Sequence, residues 1–166
     1  MAILNENLDW NSIVAAHPDV GRAFRGLPGK ALLSQGQMLC RFITTESKRK
    51  GIPGNHVFFS SWWMEWRTTV AMLNRFKGIA PKDVVRAKLA ITEKFSRQLD
   101  SLVQIILTEP VYAWKGTALY QGDDASGVTY IGGGTQLYVP NLASDAQGLS
   151  SRVAYLHSFT SVDSLS

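Results

Sequence analysis

Residues 116–142 constrain the fold of this chain most, because short apolar segments alternate there with glycine and aspartate turns. Three consecutive glycines, at positions 132–134, directly precede an apolar segment that Pro140 ends. Glycine reaches positive φ and lets a ligand approach the main chain closely. The run therefore indicates either a turn that needs positive φ, the commoner use, or a loop that binds a ligand, with Gly133 and Gln136 as candidate residues.

The chain as a whole is predicted to be a single α+β domain. With 166 residues, of which 45% are hydrophobic, it is long enough to bury a core. We expect two N-terminal strands to pair with a C-terminal set of strands, because neither set forms a stable sheet alone. The result would be a split or twisted sheet with a central helical block. The predicted parts are N-terminal helices in 1–30, strands in 37–59, the helical block in 61–107 and a β-rich part in 111–159.

Within these parts the pattern predicts individual elements. Pro18 separates two short helices, at 8–16 and 18–25, and turn residues close the segment at 26–29. The predicted strands cover 37–44, 57–59, 111–118, 127–131, 135–139 and 152–159.

The helical block is predicted to contain two helices. Ser60 and Ser61 are candidate N-caps of a tryptophan-rich helix that ends at Gly78. Pro81 begins a second helix, predicted over 81–107, whose apolar residues recur at steps of three and four and predict a core element. These residues are Val84, Ala87, Ile91, Phe95, Leu99, Leu102 and Ile106.

Several classes of site are excluded by composition. The single cysteine, Cys40, forms no intrachain disulfide and provides no cysteine metal site, and the three histidines lack metal-ligand spacing. No Ser-His-Asp order, phosphate-binding loop or paired-carboxylate motif is present.

No secretory leader and no apolar run of membrane-spanning length is present either, which predicts cytoplasmic synthesis. Export without a cleavable signal peptide is compatible with the same pattern.

The charge of the chain mildly favours acidic partners. The formal net charge is +4 and the sequence pI is near 9.3. Lys48, Arg49 and Lys50 form the only run of three like charges, which predicts weak nucleic-acid binding at most.

Arg41 and the aromatic segment after Ser60 are the candidate binding groups. Arg41 interrupts an apolar strand, where a charge is costly unless it is paired or reaches an anionic ligand. Two interpretations stay open: Arg41 binds phosphate or ribose oxygens, or it faces solvent or pairs with Glu46. Trp62 lies on the predicted apolar stripe of its helix, whereas Trp63 lies off the stripe and is the better candidate for a ligand contact.

Three short segments, at 39–42, 59–61 and 135–140, resemble the ADP-ribosyltransferase superfamily in their order. The resemblance implies NAD as the ligand, with Arg41 contacting it and Ser60 and Ser61 shaping the cleft. Trp63 and Tyr138 would flank the nicotinamide. Arg41 and Gln136 would then lie on adjacent strands that line one cleft, with Ser60 at its rim.

Gln136 stands where that family carries a glutamate that stabilises the ribosyl cation. A glutamine hydrogen-bonds a ribose hydroxyl but supplies no negative charge. The resemblance therefore implies either altered activity or the participation of another acid, for which Glu65, Asp123 and Asp124 are candidates. It also implies a bacterial or phage toxin or effector, acting as an ADP-ribosyltransferase or NAD glycohydrolase. Its expected partners are a macromolecular target or a cognate inhibitor protein.

Two alternatives come from other classes. The basic loop and the aromatic content are also typical of a non-enzymatic binding module, and the tryptophan-rich helix is typical of an interface in a structural or assembly protein. Convergence of Arg41, Ser60 and Gln136 on one cleft distinguishes the enzyme from both.

Overall fold

The computed structural model describes residues 2–44, 61–93, 98–144, 148–149 and 153–165. The elements, in chain order, are α1 (Trp10–Ala16), α2 (Pro18–Gly21), β1 (Gly29–Leu33), β2 (Met38–Ile43), β3 (Trp62–Glu65), α3 (Trp66–Arg75), α4 (Pro81–Leu89), β4 (Ser101–Leu107), β5 (Val111–Thr117), β6 (Gln121–Asp123), β7 (Val128–Tyr130), β8 (Thr135–Tyr138), β9 (Ala143–Ser144), β10 (Gly148–Leu149), β11 (Ala154–Ser161) and a 3-10 helix (Val162–Leu165).

The two N-terminal helices are confirmed, although both are shorter than predicted. Asp9 caps α1, since one of its carboxylate oxygens accepts a hydrogen bond from the Ser12 backbone N–H at 2.8 Å. This bond is the main reason why the pKa of Asp9 is lowered. Pro18 is the first residue of α2, where its missing N–H is not needed. The segment 26–29, predicted only as a turn, leads into β1, a strand that was not predicted from the sequence.

Seven strands form one antiparallel sheet in the order β1-β5-β8-β3-β2-β4-β11. Its outer ladders are long: β2 pairs with β4 from Met38 to Ile43, and β1 pairs with β5 from Gly29 to Leu33. At the centre, β3 pairs with β2 and with β8 through only two residue pairs each. The predicted α+β class and the joining of N-terminal with C-terminal strands are confirmed, and the sheet is close to split at β3.

The helix predicted over 81–107 is wrong in its second half. α4 ends at Leu89, where Ala90 adopts a left-handed conformation with φ 51°, and residues 101–107 form β4. The apolar run fits both a helical stripe and a strand buried on both faces, and pairing with β2 and β11 decides for the strand. Phe95 lies outside the described residues.

The tryptophan-rich helix begins later than predicted, so Ser61 is not its N-cap. Glu65 is the N-cap of α3, without a side-chain cap bond, and the four residues before Trp66 form β3. Pairing with β2 and β8 overrides the helical pattern there. Ser61 instead accepts a backbone hydrogen bond from Val139 N–H at 2.6 Å. The predicted strand at 57–59 lies outside the described residues.

Side chains of β2 alternate between the two faces of the sheet. Leu39 and Ile43 belong to the largest buried cluster, together with Val103 and Ile105 of β4. Cys40 and Phe42 face the other way, towards a cluster that residues of α3 and α4 cover. A third cluster packs α1 and α2 against β3, β5 and β8, through Ile13, Val20, Phe24, Trp62, Trp114 and Tyr138.

No helix in the described parts of the chain is long and apolar enough to cross a membrane.

Candidate functional site

A cleft of about 280 Å³ opens beside the central strand β3. Residues of β2, β3 and β8 line it on the sheet side, and the α2 region and the segment after α4 line it opposite. The lining residues are Asp19, Val20, Ala23, Arg41, Phe42, Trp62, Trp63, Met64, Leu89, Ala90, Ile91, Thr92, Gln121 and Gln136. The cleft therefore lies where the sheet is held by its shortest ladders.

A second cavity of about 460 Å³ adjoins the cleft and shares Asp19, Val20 and Trp62 with it. His17, Ser61 and Tyr138 are among its other lining residues. Ligand pockets commonly measure about 300–1,000 Å³. The two cavities together are thus large enough for a ligand of dinucleotide size.

Arg41 is the most unusual side chain of the cleft. Its Nε and Nη1 atoms are buried and have no hydrogen-bond partner among the described residues. Its Cζ atom lies 5.8 Å from the centre of the Trp63 ring, which gives a cation–π contact. The ladder between β2 and β3 ends at Cys40 and Met64, so Arg41 and Trp63 lie at the point where the strands separate. Burial of these nitrogens excludes the interpretation that the guanidinium faces solvent, whereas Glu46, its other predicted partner, lies outside the described residues.

Burial lowers the pKa of Arg41 to about 10. The group is still protonated at neutral pH, because this pKa lies well above 7. A buried charge without hydrogen bonds is costly, and an anion that accepts from Nε and Nη1 would remove that cost. The geometry thus favours an anionic ligand at the strand junction.

Gln136 lies in the same cleft, but not on a strand adjacent to β2 as predicted, because β3 runs between β2 and β8. Its side chain is 8% exposed, and its Nε2 atom donates to the Ala23 carbonyl at 2.9 Å. Its amide nitrogen is therefore engaged in holding the segment that follows α2. Arg41 and Gln136 do converge on one cleft, as expected.

The aromatic candidates are arranged differently from the prediction. Trp63 is only 2% exposed and belongs to the largest core cluster, because β3 is a strand and not a helix. Tyr138 is 6% exposed, and burial raises the pKa of its hydroxyl. Trp62, assigned from the sequence to the helix stripe, lines both cavities and packs 4.9 Å from the Tyr138 ring. Neighbouring side chains of a strand face opposite sides of the sheet, so recognising β3 as a strand would have separated Trp62 from the buried Trp63.

The remaining candidates lie at the periphery or elsewhere. Ser61 lines the second cavity, and Ser60 lies outside the described residues. Gly133 lines neither cavity; its N–H donates to the Ala118 carbonyl at 2.9 Å. Gly132 and Gly133 have φ values of 69° and 91°, so the glycine run is a turn that needs positive φ.

The acids proposed to replace the missing glutamate are not in the cleft. Glu65 pairs with Lys115 at 2.6 Å. Asp123 is 4% exposed and accepts backbone hydrogen bonds from Glu93 and Ala125, and the bond from Glu93 is the main reason why its pKa is lowered. Asp124 is exposed and lines neither cavity. Among the described residues, the acid that lines the cleft is Asp19, which sequence reasoning missed.

The described residues provide neither a reactive cysteine nor a metal site. Cys40 is buried, and burial raises the pKa of its thiol to about 12, so it is not a nucleophile at neutral pH. Residues 2–44, 61–93, 98–144, 148–149 and 153–165 contain no group of three metal-ligating side chains.

Comparison with known proteins gives a fold and no family. No family model and no curated protein matches the chain. A chain from the structure of Tne2 in complex with Tni2 is similar over 84% of this chain and 96% of that one, with a TM-score of 0.51 and 14% sequence identity. A chain from the structure of Rhs1-CT in complex with its cognate immunity protein RhsI1 covers 80% and 83%, with a TM-score of 0.47 and 16% identity. At this level the first likeness shows a shared fold.

Proposed function

We propose that this chain is an NAD-binding protein of the ADP-ribosyltransferase type that acts as a toxin or effector. Its reaction would be transfer of ADP-ribose to a macromolecule or hydrolysis of NAD. The observation that carries the proposal is the buried guanidinium of Arg41, whose Nε and Nη1 atoms have no partner in the described chain. In the proposed complex the pyrophosphate or a ribose oxygen of NAD accepts from these two nitrogens.

The composition of the cleft supports the same ligand. Apart from Arg41 and Asp19, its lining side chains are uncharged and mostly apolar or aromatic. NAD combines an anionic pyrophosphate, a cationic nicotinamide ring and flat bases. The Arg41 cation matches the pyrophosphate, and the Trp62 ring, which lines both cavities, matches a flat base.

A cognate inhibitor protein is the partner that we propose for a toxin of this kind. The fold is shared with a chain from the structure of Tne2 in complex with Tni2. A cleft open at the surface of a small domain is a position that an inhibitor can cover. A macromolecular acceptor would approach by the same opening.

Calorimetric titration with NAD tests the proposal. We expect NAD and ADP-ribose to bind, and adenosine, which lacks the pyrophosphate, to bind at least about 10-fold more weakly because it leaves Arg41 unpaired. The folded state is verified by cooperative denaturation in the same buffer. If neither NAD nor ADP-ribose binds at about 1 mM, the assignment to an NAD-using class is wrong. Equal binding of adenosine would mean that Arg41 is not the anion site.

A further inference from the structure

Asp19 is one of the three residues that the cleft and the second cavity share. It is in the first turn of α2 and lines both the cleft and the second cavity. Within the described lining of the cleft, Asp19 is the only acid and Arg41 is the only base. A ligand that spans both cavities therefore passes a carboxylate at the boundary and a guanidinium at the strand junction.

The carboxylate of Asp19 is free to contact a ligand. Its only described ion pair is with Arg22, at 3.4 Å, and the two side chains are 96% and 79% exposed. An exposed pair three residues apart on a helix is weak, so a ligand replaces it at little cost. By contrast, Glu65 and Asp123 are already held by Lys115 and by backbone N–H groups.

The main chain directly after α2 is held by hydrogen bonds from β8, β6 and the segment after β5. The Ala23 carbonyl accepts from Gln136 Nε2 and from Leu119 N–H, each at 2.9 Å. The Arg22 carbonyl accepts from Gln121 Nε2 at 3.3 Å. Gln136 and Gln121 also line the cleft, so the cleft wall and the α2 segment are tied together. Gln136 thus acts as a positioning residue for the segment that bears Asp19.

We propose that Asp19 is the catalytic carboxylate of the site and supplies the negative charge that Gln136 lacks. This inference rests on the proposed NAD-using function. The bond between the ribose C1′ and the nicotinamide nitrogen breaks, and its electron pair leaves with neutral nicotinamide. The ribosyl cation that forms is stabilised by the Asp19 carboxylate, and a water oxygen then bonds to C1′. The water proton passes to solvent, so NAD and water give ADP-ribose, nicotinamide and a proton.

The test separates binding from turnover in Asp19→Asn and Asp19→Glu. In Asp19→Asn we expect NAD affinity within about 3-fold of the parent chain and a kcat that falls by about 100-fold or more, since the charge acts mainly on the transition state. Asp19→Glu retains the charge and should keep more turnover than Asp19→Asn. Asp124→Asn removes an exposed acid outside both cavities and should leave both quantities unchanged.

The outcomes separate the two proposals. If the parent chain binds and hydrolyses NAD but Asp19→Asn does so at the same rate, the role of Asp19 is wrong and the NAD-using function stands. If the parent chain binds NAD without any turnover, Asp19 is likewise not a catalytic carboxylate for hydrolysis. If the parent chain does not bind NAD, both proposals fall. An equal loss of affinity and rate in Asp19→Asn would make Asp19 a binding group only.

Discussion

The outer ladders of the sheet and its central strand contribute differently to the molecule. β2, β4 and β11 pair over long stretches, and the side chains between them form a continuous apolar cluster. β3 is joined to each neighbour by two residue pairs. Beside it lies the cleft, where two Arg41 nitrogens have no partner among the described residues. The comparison indicates that stability resides in the ladders, whereas the weakly joined centre, where β2 and β3 separate, contains the cleft and the ligand site that we propose.

The largest stability effect is expected in the ladders. Ile105 is fully buried in β4, directly opposite Leu156 of β11, which is 47% exposed. Ile105→Ala should lower the free energy of unfolding by about 2–5 kcal/mol, because a cavity remains in a close-packed cluster. Leu156→Ala is the matched control and should cost about 0.5 kcal/mol or less. Urea denaturation followed by tryptophan fluorescence measures both, and equal costs would contradict the assignment of stability to the β4 core.

The glycine turn before β8 is the next test, since it joins the cleft wall to α4. Gly132 N–H donates to Ala87 O at 2.9 Å, and a Cβ on Gly132 would lie 2.4 Å from Ala118 O. Gly132→Ala should cost about 2–4 kcal/mol, from backbone strain and a clash with main chain. At Gly133, φ is 91° but no atom lies within 4 Å of the added Cβ. Gly133→Ala should cost about 1–2 kcal/mol. Thermal or urea unfolding that ranks the two variants in the opposite order would refute this account of the turn.

The smallest effect concerns pH. Asp123 holds the segment after α4, part of which lines the cleft, and hydrogen bonding lowers its pKa below the ordinary 3.8. Because the folded pKa is below the unfolded one, its contribution is complete above about 3.8 and is lost as pH falls through the folded value. We expect Asp123→Asn to lose less stability than the parent chain between about pH 4 and pH 2. Parallel urea midpoints across this range measure the difference, and identical acid profiles would show that the carboxylate makes no such contribution.

How much the sequence could predict depends on whether local pattern and tertiary pairing agree. β2, β5 and β8 were predictable because apolar segments end at turn residues, and Arg41 stood out as a charge in one of them. β4 was not predictable as a strand, because an apolar run buried on both faces also satisfies the spacing of a helix. The same ambiguity led to a predicted helix where β3 lies, and therefore to the wrong predicted environment for Trp63.

The candidate site was predicted in part. Arg41 and Gln136 were expected in one cleft, and they are there, although β3 lies between their strands. Asp19 could not be found from the sequence, because an acid in the first turn of a short helix usually has no role beyond the helix dipole. The structure places Asp19 in the lining of both cavities, and hydrogen bonds from Gln136 and Gln121 hold the segment after α2 beside the cleft.

Arg41→Met tests the central claim most directly, because binding and stability should move independently. Methionine fills much of the same space without the buried charge, so stability should be unchanged or rise by about 1–3 kcal/mol. The affinity for NAD, measured by calorimetry, should fall by about 30-fold or more, since a charge-assisted pair is lost. Arg67→Met, at an exposed arginine of α3 that lines neither cavity, is the control and should alter neither quantity. A variant that loses about 1–3 kcal/mol of stability but binds NAD normally would show that Arg41 stabilises the fold and does not bind the ligand.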